Sequence, residues 1–206
     1  MPSEAFSESL PFILRWEGGF VDDPDDPGGR TNRGVTQKTY SAWRAGRGLA
    51  NADVKHITEE EVQAIYEHGY WLPPGCHMLP RRLDLVQFDT AVNMGPVRSV
   101  KILQTTLGCT PDGGFGATTQ GLVAGCDAAS TVANYCTVRE GIYRSLAQKN
   151  PKLSKFLKGW LNRLNALRAE AGVPGFAAPR AVDFGDSDFV AKVEDLEDGA
   201  DLERWQ

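Results

Sequence analysis

The chain has 206 residues, 41% of them hydrophobic, which is enough for one large core or two small packed lobes and too apolar for a disordered polymer. No apolar run approaches the ~18 residues of a membrane-spanning helix. The net charge of −5 sits in the tail, where residues 177–206 hold nine acidic and three basic residues; the rest of the chain is +1, so no basic nucleic-acid footprint is present.

In chain order, most segments read as helix. Residues 6–17 place Phe6, Leu10, Ile13 and Leu14 on one face, and Gly18-Gly19 ends the helix. Pro11 fits its first turn if the helix proper starts near Ser9 or Leu10. This segment lacks the basic start and long apolar run of a standard signal peptide. Residues 18–35 are turn-rich, with short extended pieces at most. Thr36 caps a helix carrying Tyr40 and Trp43. Thr58 with Glu61 forms a capping box for a helix with Val62, Ile65 and Tyr66 on one side, ended by Pro73-Pro74.

Residues 81–94 are helical, with Leu85, Phe88 and Val92 at helical spacing. Pro96 opens the next helix, which carries Val100, Leu103 and Leu107. Pro111–Gly116 is a turn, followed by a short helix from Ala117. Two longer helices cover about 130–148 and 152–171, closed by Gly172 and Pro174. The acidic tail is expected either to be disordered or to fold as a short amphipathic helix near 187–198 on binding a partner.

Cys76, Cys109, Cys126 and Cys136 contain no CxxC pair, so zinc and thioredoxin chemistry are disfavoured and free thiols are the expectation. His56, His68 and His77 show no ligand spacing. An EF-hand counted from Asp22 fails, because Pro24 falls at position three and Arg33 at position twelve. No metal and no cofactor are expected.

The chemistry-bearing segment begins at Glu17 and supplies Asp22, Asp23, Asp25, Asp26, Thr31, Asn32 and Thr36 within twenty residues. Glycosidic hydrolysis commonly uses one carboxyl group that holds its proton and a second that is ionised. The unpaired carbonyls of a helix C-terminus disfavour a carboxylate, so Glu17 suits the proton-holding role. Trp16 and Phe20 would shield it from water in the same sense. Glycines 18, 19, 28 and 29 let the acidic loop fold back towards it.

The run Glu17-Gly-Gly-Phe, then Asp25-Asp-Pro-Gly-Gly and Thr31-Asn-Arg-Gly-Val-Thr36, resembles the glycoside hydrolase family 108 lysozymes, which are N-acetylmuramidases of bacteria and their phages. Phe88–Gly95, Leu103–Gly108, Asp112–Gly116 and Gly159–Arg163 resemble the peptidoglycan-binding-like region that usually follows. Together the motifs span roughly residues 8–172. The resemblance implies a mainly α, lysozyme-like fold with a short loop or β-hairpin region after the first helix and a helical C-terminal lobe. It divides the chain into a catalytic region 1–95, a peptidoglycan-binding-like region 96–175 and an acidic tail 176–206.

The resemblance also implies roles. Glu17 would be the proton donor. Phage lysozymes of the T4 type place a Glu, eight residues, an Asp, five residues and a Thr. Here Glu17 and Asp26 have eight residues between them, while Asp26 and Thr31 have four, one short. Asp26 is thus implied as the ionised carboxylate and Thr31 as a partner positioning water, with Asp22, Asp23 and Asp25 as competitors. Asn32, Thr36, Gln37, Tyr40, Tyr70, Trp71 and Asn93 are candidate substrate contacts.

The expected reaction is hydrolysis of the β-1,4 bond from N-acetylmuramic acid to N-acetylglucosamine by a monomer acting on peptidoglycan glycan strands. The enzyme would reach the periplasm or cell wall through a holin-type pore or a secretion system, one of which, or another partner, would meet the acidic tail. Chitin or chitosan hydrolysis and non-catalytic wall binding are the rival functions. A carboxyl separation of about 5–5.5 Å would indicate retention and about 6.5–9.5 Å inversion.

Overall fold

The computed structural model describes residues 2–22 and 29–173. Asp23, Asp25, Asp26 and the acidic tail, with its expected helix, lie outside the described residues. The fold is mainly α, with eight helices and a two-stranded hairpin after the first among the described residues. Compactness divides the described chain into two units, one ending at Tyr70 and one beginning at Trp71.

In the first unit, α1 spans Glu4–Glu17. Ser3 caps it, its hydroxyl accepting from the Phe6 amide at 3.3 Å. Phe6, Leu10 and Ile13 are buried as their spacing predicts, together with Ser9 and Phe12. The helix starts earlier than expected, because Ser3 satisfies one of its free amides and the charge of Glu4 in the first turn complements the helix dipole. Pro11 is therefore its eighth residue and not part of its first turn. Its ring is tolerated on the exposed side, where water can reach the Ser7 carbonyl left without an amide partner.

Strands β1 (Thr31–Asn32) and β2 (Val35–Thr36) pair antiparallel, with Thr31 opposite Thr36 and Asn32 opposite Val35. Helix α2 (Gln37–Ala45) is capped by Thr36, whose hydroxyl accepts from the Thr39 amide at 3.2 Å. Helix α3 (Glu59–Tyr66) opens on the expected Thr58/Glu61 capping box and runs on through a π-helical turn, Glu67–Trp71.

In the second unit, α4 (Leu83–Met94), α5 (Pro96–Leu107), α6 (Ala117–Gly125), α7 (Ala128–Lys149) and α8 (Ser154–Glu170) follow the predicted order. Every residue of α4 from Leu83 to Ala91 is buried, so this helix is enclosed on all sides and not on one face only. Its polar residues are paired. Asp89 receives Arg139 at 2.6 Å and Arg163 at 2.9 Å. The Tyr135 hydroxyl donates to Gln87 on α4 at 2.8 Å and contacts the Ser99 carbonyl of α5 at 3.0 Å. Gln104 holds the Pro111–Gly116 turn: its Nε2 donates to Asp112 at 2.7 Å and to the Gly114 carbonyl at 3.0 Å, and its Oε1 accepts from the Gly113 amide at 2.8 Å. All four cysteines are free thiols.

Candidate active site

Glu17 is the last residue of α1 and is half-buried. The chain leaves the helix through Gly18 at φ 75°, a conformation that favours glycine. It returns past Glu17 in the hairpin. Between β1 and β2, Arg33 (φ 52°) and Gly34 (φ 74°) are both left-handed, which makes a two-residue turn of the I′ kind that matches strand twist. A β-carbon on Gly34 would lie 2.8 Å from Glu17 Cβ and 2.9 Å from its Cγ, and would collide with the Tyr66 hydroxyl. The turn therefore packs directly on the Glu17 side chain. The Tyr66 hydroxyl donates to the Arg33 carbonyl at 2.8 Å, and Arg33 pairs with Glu59.

Backbone pairing of Val21 with Thr31, at 2.8 and 2.9 Å, fixes the two ends of the acidic loop against each other. Arg30 adds ion pairs to Asp22 at 3.2 Å and Asp53 at 2.7 Å. The Lys55 amide holds the Asp53 carboxyl below its usual range, and Arg30 acts in the same direction. Asp22 is thus already ion-paired, whereas Asp26 lies outside the described residues.

The other expected contacts have defined placements. The Thr31 hydroxyl donates to the Gly29 carbonyl at 3.3 Å. The Asn32 amide donates to the carbonyls of Val54 and Lys55, both at 3.2 Å. Thr36 caps α2. Gln37 donates to Ser41 and to the Ala52 carbonyl at 3.0 and 2.9 Å and accepts from the Val54 amide at 2.8 Å. These side chains hold the hairpin and α2 to the Val54–His56 turn.

Tyr40 is only 1% exposed and donates to Glu61 at 2.6 Å, so its ring offers no face to a sugar. Burial pushes the Glu61 carboxyl up, but hydrogen bonds from Tyr40 and the Thr58 amide and the charge of Arg44 bring it below its usual range. Tyr70 is half-buried and tilted against Tyr66, with centroids 5.7 Å apart.

In the second unit, Trp71 is 1% exposed, edge-on to Phe88 at 5.2 Å, and is equally closed to stacking. Asn93 accepts from Tyr143 at 2.6 Å and Arg139 at 3.2 Å, which places it in the Asp89 network. Burial accounts for Tyr40 and Trp71, and a long-range ionic cluster accounts for Asn93; neither is visible in local spacing. Trp16 and Phe20, expected to shield Glu17, are instead 37% and 39% exposed. Gly34 and Tyr66 escaped sequence reading because their relation to Glu17 is tertiary. The Arg33-Gly34 pair, set between Thr31-Asn32 and Val35-Thr36, was the one available hint of the tight turn. Among the described residues, no three His, Cys, Asp or Glu side chains gather as a metal ion would require.

The sequence matches the family model described as Glycosyl hydrolase 108 over residues 10–95 and the one described as Predicted Peptidoglycan domain over residues 98–165. A solved structure titled "Structure of Brucella abortus SagA" is similar to it, with a TM-score of 0.68 and 36% sequence identity, covering 81% of this chain and 92% of that one. No curated protein matches the sequence.

Proposed function

The chain belongs to the glycosyl hydrolase 108 family, and from that premise we propose that it cleaves the β-1,4 bond between N-acetylmuramic acid and N-acetylglucosamine, with Glu17 as the proton donor. The coarser function is a peptidoglycan-degrading glycoside hydrolase that acts on the cell wall. Among the described residues no helix is long and apolar enough to cross a membrane.

The observation that carries the reading is the packing of the Arg33-Gly34 turn on Glu17. A general acid must be held in one orientation to protonate a departing oxygen. Glu17 is the last residue of α1, and Gly34 packs so near its Cβ and Cγ that no side chain would fit between them. The Glu17 proton passes to the glycosidic oxygen as the C–O bond breaks. Asp26, assigned by its spacing from Glu17, stabilises the positive charge on the sugar or activates water. Thr31, at the end of the same loop, positions that water. Where Asp26 stabilises the sugar cation, Glu17 takes its proton back from the attacking water; where Asp26 activates the water, Asp26 takes that proton and exchange with solvent returns one to Glu17.

Product chemistry tests the bond assignment. Purified peptidoglycan is digested, the new reducing ends are reduced with borohydride, and the products are hydrolysed and identified. Reduced muramic acid is the expected product. Reduced glucosamine would overturn the bond assignment, and turnover of soluble chitin oligomers in preference to peptidoglycan would overturn the substrate.

A further inference from the structure

Eight large hydrophobic residues are exposed among the described residues: Trp16, Phe20, Val21, Leu49, Leu72, Met78, Val97 and Leu122. Only two are aromatic, and they flank Glu17 in sequence. Single exposed aliphatic residues are ordinary, but an exposed Trp and Phe on either side of one carboxyl group need a reason.

Between the two rings lie Gly18 and Gly19. Gly18 has a positive φ that requires glycine. Gly19 does not, and a β-carbon built on it would meet nothing within 4 Å among the described residues. Neither a positive φ nor packing by the described residues accounts for its missing side chain. A bare backbone in open space is what close approach by a ligand requires. Phe20 is held in place by Lys55, whose ammonium lies 5.6 Å from the ring centroid. The Asn32 amide in turn fixes the Lys55 carbonyl, so the hairpin that packs on Glu17 also braces the Phe20 side.

We propose that Trp16 and Phe20, with the bare Gly18-Gly19 backbone between them, form a sugar-binding platform for the glycan strand at the Glu17 site. The ring faces stack on the apolar C–H faces of pyranose rings, and Gly19 leaves the volume that a sugar substituent occupies. The platform supplies ground-state binding and takes no part in proton transfer. This rests on the reading of Glu17 as the acid of a wall glycosidase.

The test uses the full-length protein and purified peptidoglycan. Steady-state turnover is measured for Trp16→Ala, Phe20→Ala, Gly19→Ser and the exposed control Leu49→Ala. Co-sedimentation with the same peptidoglycan is measured for the platform variants in a Glu17→Gln background. The expected result is an apparent KM raised about tenfold by Trp16→Ala, with kcat within about twofold of the parent, as loss of uniform binding requires. Co-sedimentation falls in parallel, and Leu49→Ala changes neither quantity.

Trp16→Phe, which keeps a ring, restores most of the affinity, whereas Trp16→Leu does not; a fold defect would not follow that order. Unchanged KM and co-sedimentation in all platform variants would overturn the proposal, as would equal rescue by Leu and Phe. If Glu17→Gln kept full turnover, the acid assignment would fail, while the co-sedimentation comparison would still decide the platform.

Discussion

Gly34 packs on the side chain of Glu17 so closely that a β-carbon at position 34 would lie 2.8 Å from Glu17 Cβ. Real β-carbons do not tolerate such contacts, and the positive φ of Gly34 adds strain for any other residue. Gly34→Ala is therefore expected to cost about 1–3 kcal/mol in stability. Activity on peptidoglycan should fall more than the loss of folded protein explains, since the displaced atoms belong to Glu17. Urea unfolding and turnover measured on the same preparation check this.

Tyr66 ties α3 to that turn through its 2.8 Å hydrogen bond to the Arg33 carbonyl. Tyr66→Phe removes the hydroxyl and leaves the ring. The expected loss is about 0.5–1.5 kcal/mol of stability, with a lower kcat and a nearly unchanged KM, because the hydroxyl positions the turn beside Glu17. A variant with wild-type kcat would remove Tyr66 from the account.

How much of this was readable in advance varied with the range of the interaction. The capping box at Thr58 and Glu61, the Thr36 cap, Pro96 at the start of α5 and the turn before Ala117 all rest on neighbours in sequence, and each stands where its local chemistry places it. Pro11 was misplaced because the stronger Ser3 cap lies eight residues upstream. The buried Tyr40 hydroxyl pairs with Glu61, twenty-one residues away, and the half-buried Asn93 with Arg139 and Tyr143 in another helix. Helical spacing carries no trace of such partners. Glu17 was legible through its motif, whereas the turn that grips it was not.

The fully buried Asp89 gives the second unit a distinct pH signature. Burial pushes its carboxyl up, but the charges of Arg163 and Arg139 and their hydrogen bonds outweigh this and hold it below its usual value. A depressed folded pKa means that the contribution is fully present above the unfolded carboxyl value of about 3.9 and is lost as pH falls through the lower folded value. Asp89→Asn should cost about 3–5 kcal/mol near pH 7, because two buried guanidinium groups lose their charge partner. The gap to wild type should narrow as the pH drops below about 4. A constant gap from pH 7 down to acid unfolding would contradict this.

The four thiols should divide into two pairs. Cys76 and Cys136 are buried; burial pushes both upwards, Cys136 to about 11, so neither presents a thiolate near neutrality. Cys109 and Cys126 are partly exposed. An aromatic disulfide reagent should modify Cys109 and Cys126 in the folded protein within minutes and all four after denaturation. Rapid modification of Cys76 or Cys136 without unfolding would contradict the placement.

The most direct measurement is turnover of purified peptidoglycan by Glu17→Gln, a substitution that keeps the side chain's shape and removes its transferable proton. The variant is expected to melt within a few degrees of wild type, to co-sediment with peptidoglycan, and to lose at least a hundredfold in kcat, in line with the 10²–10⁴ that a positioned general acid typically contributes. Release of reducing ends at the wild-type rate by a folded Glu17→Gln protein would contradict the account at its centre.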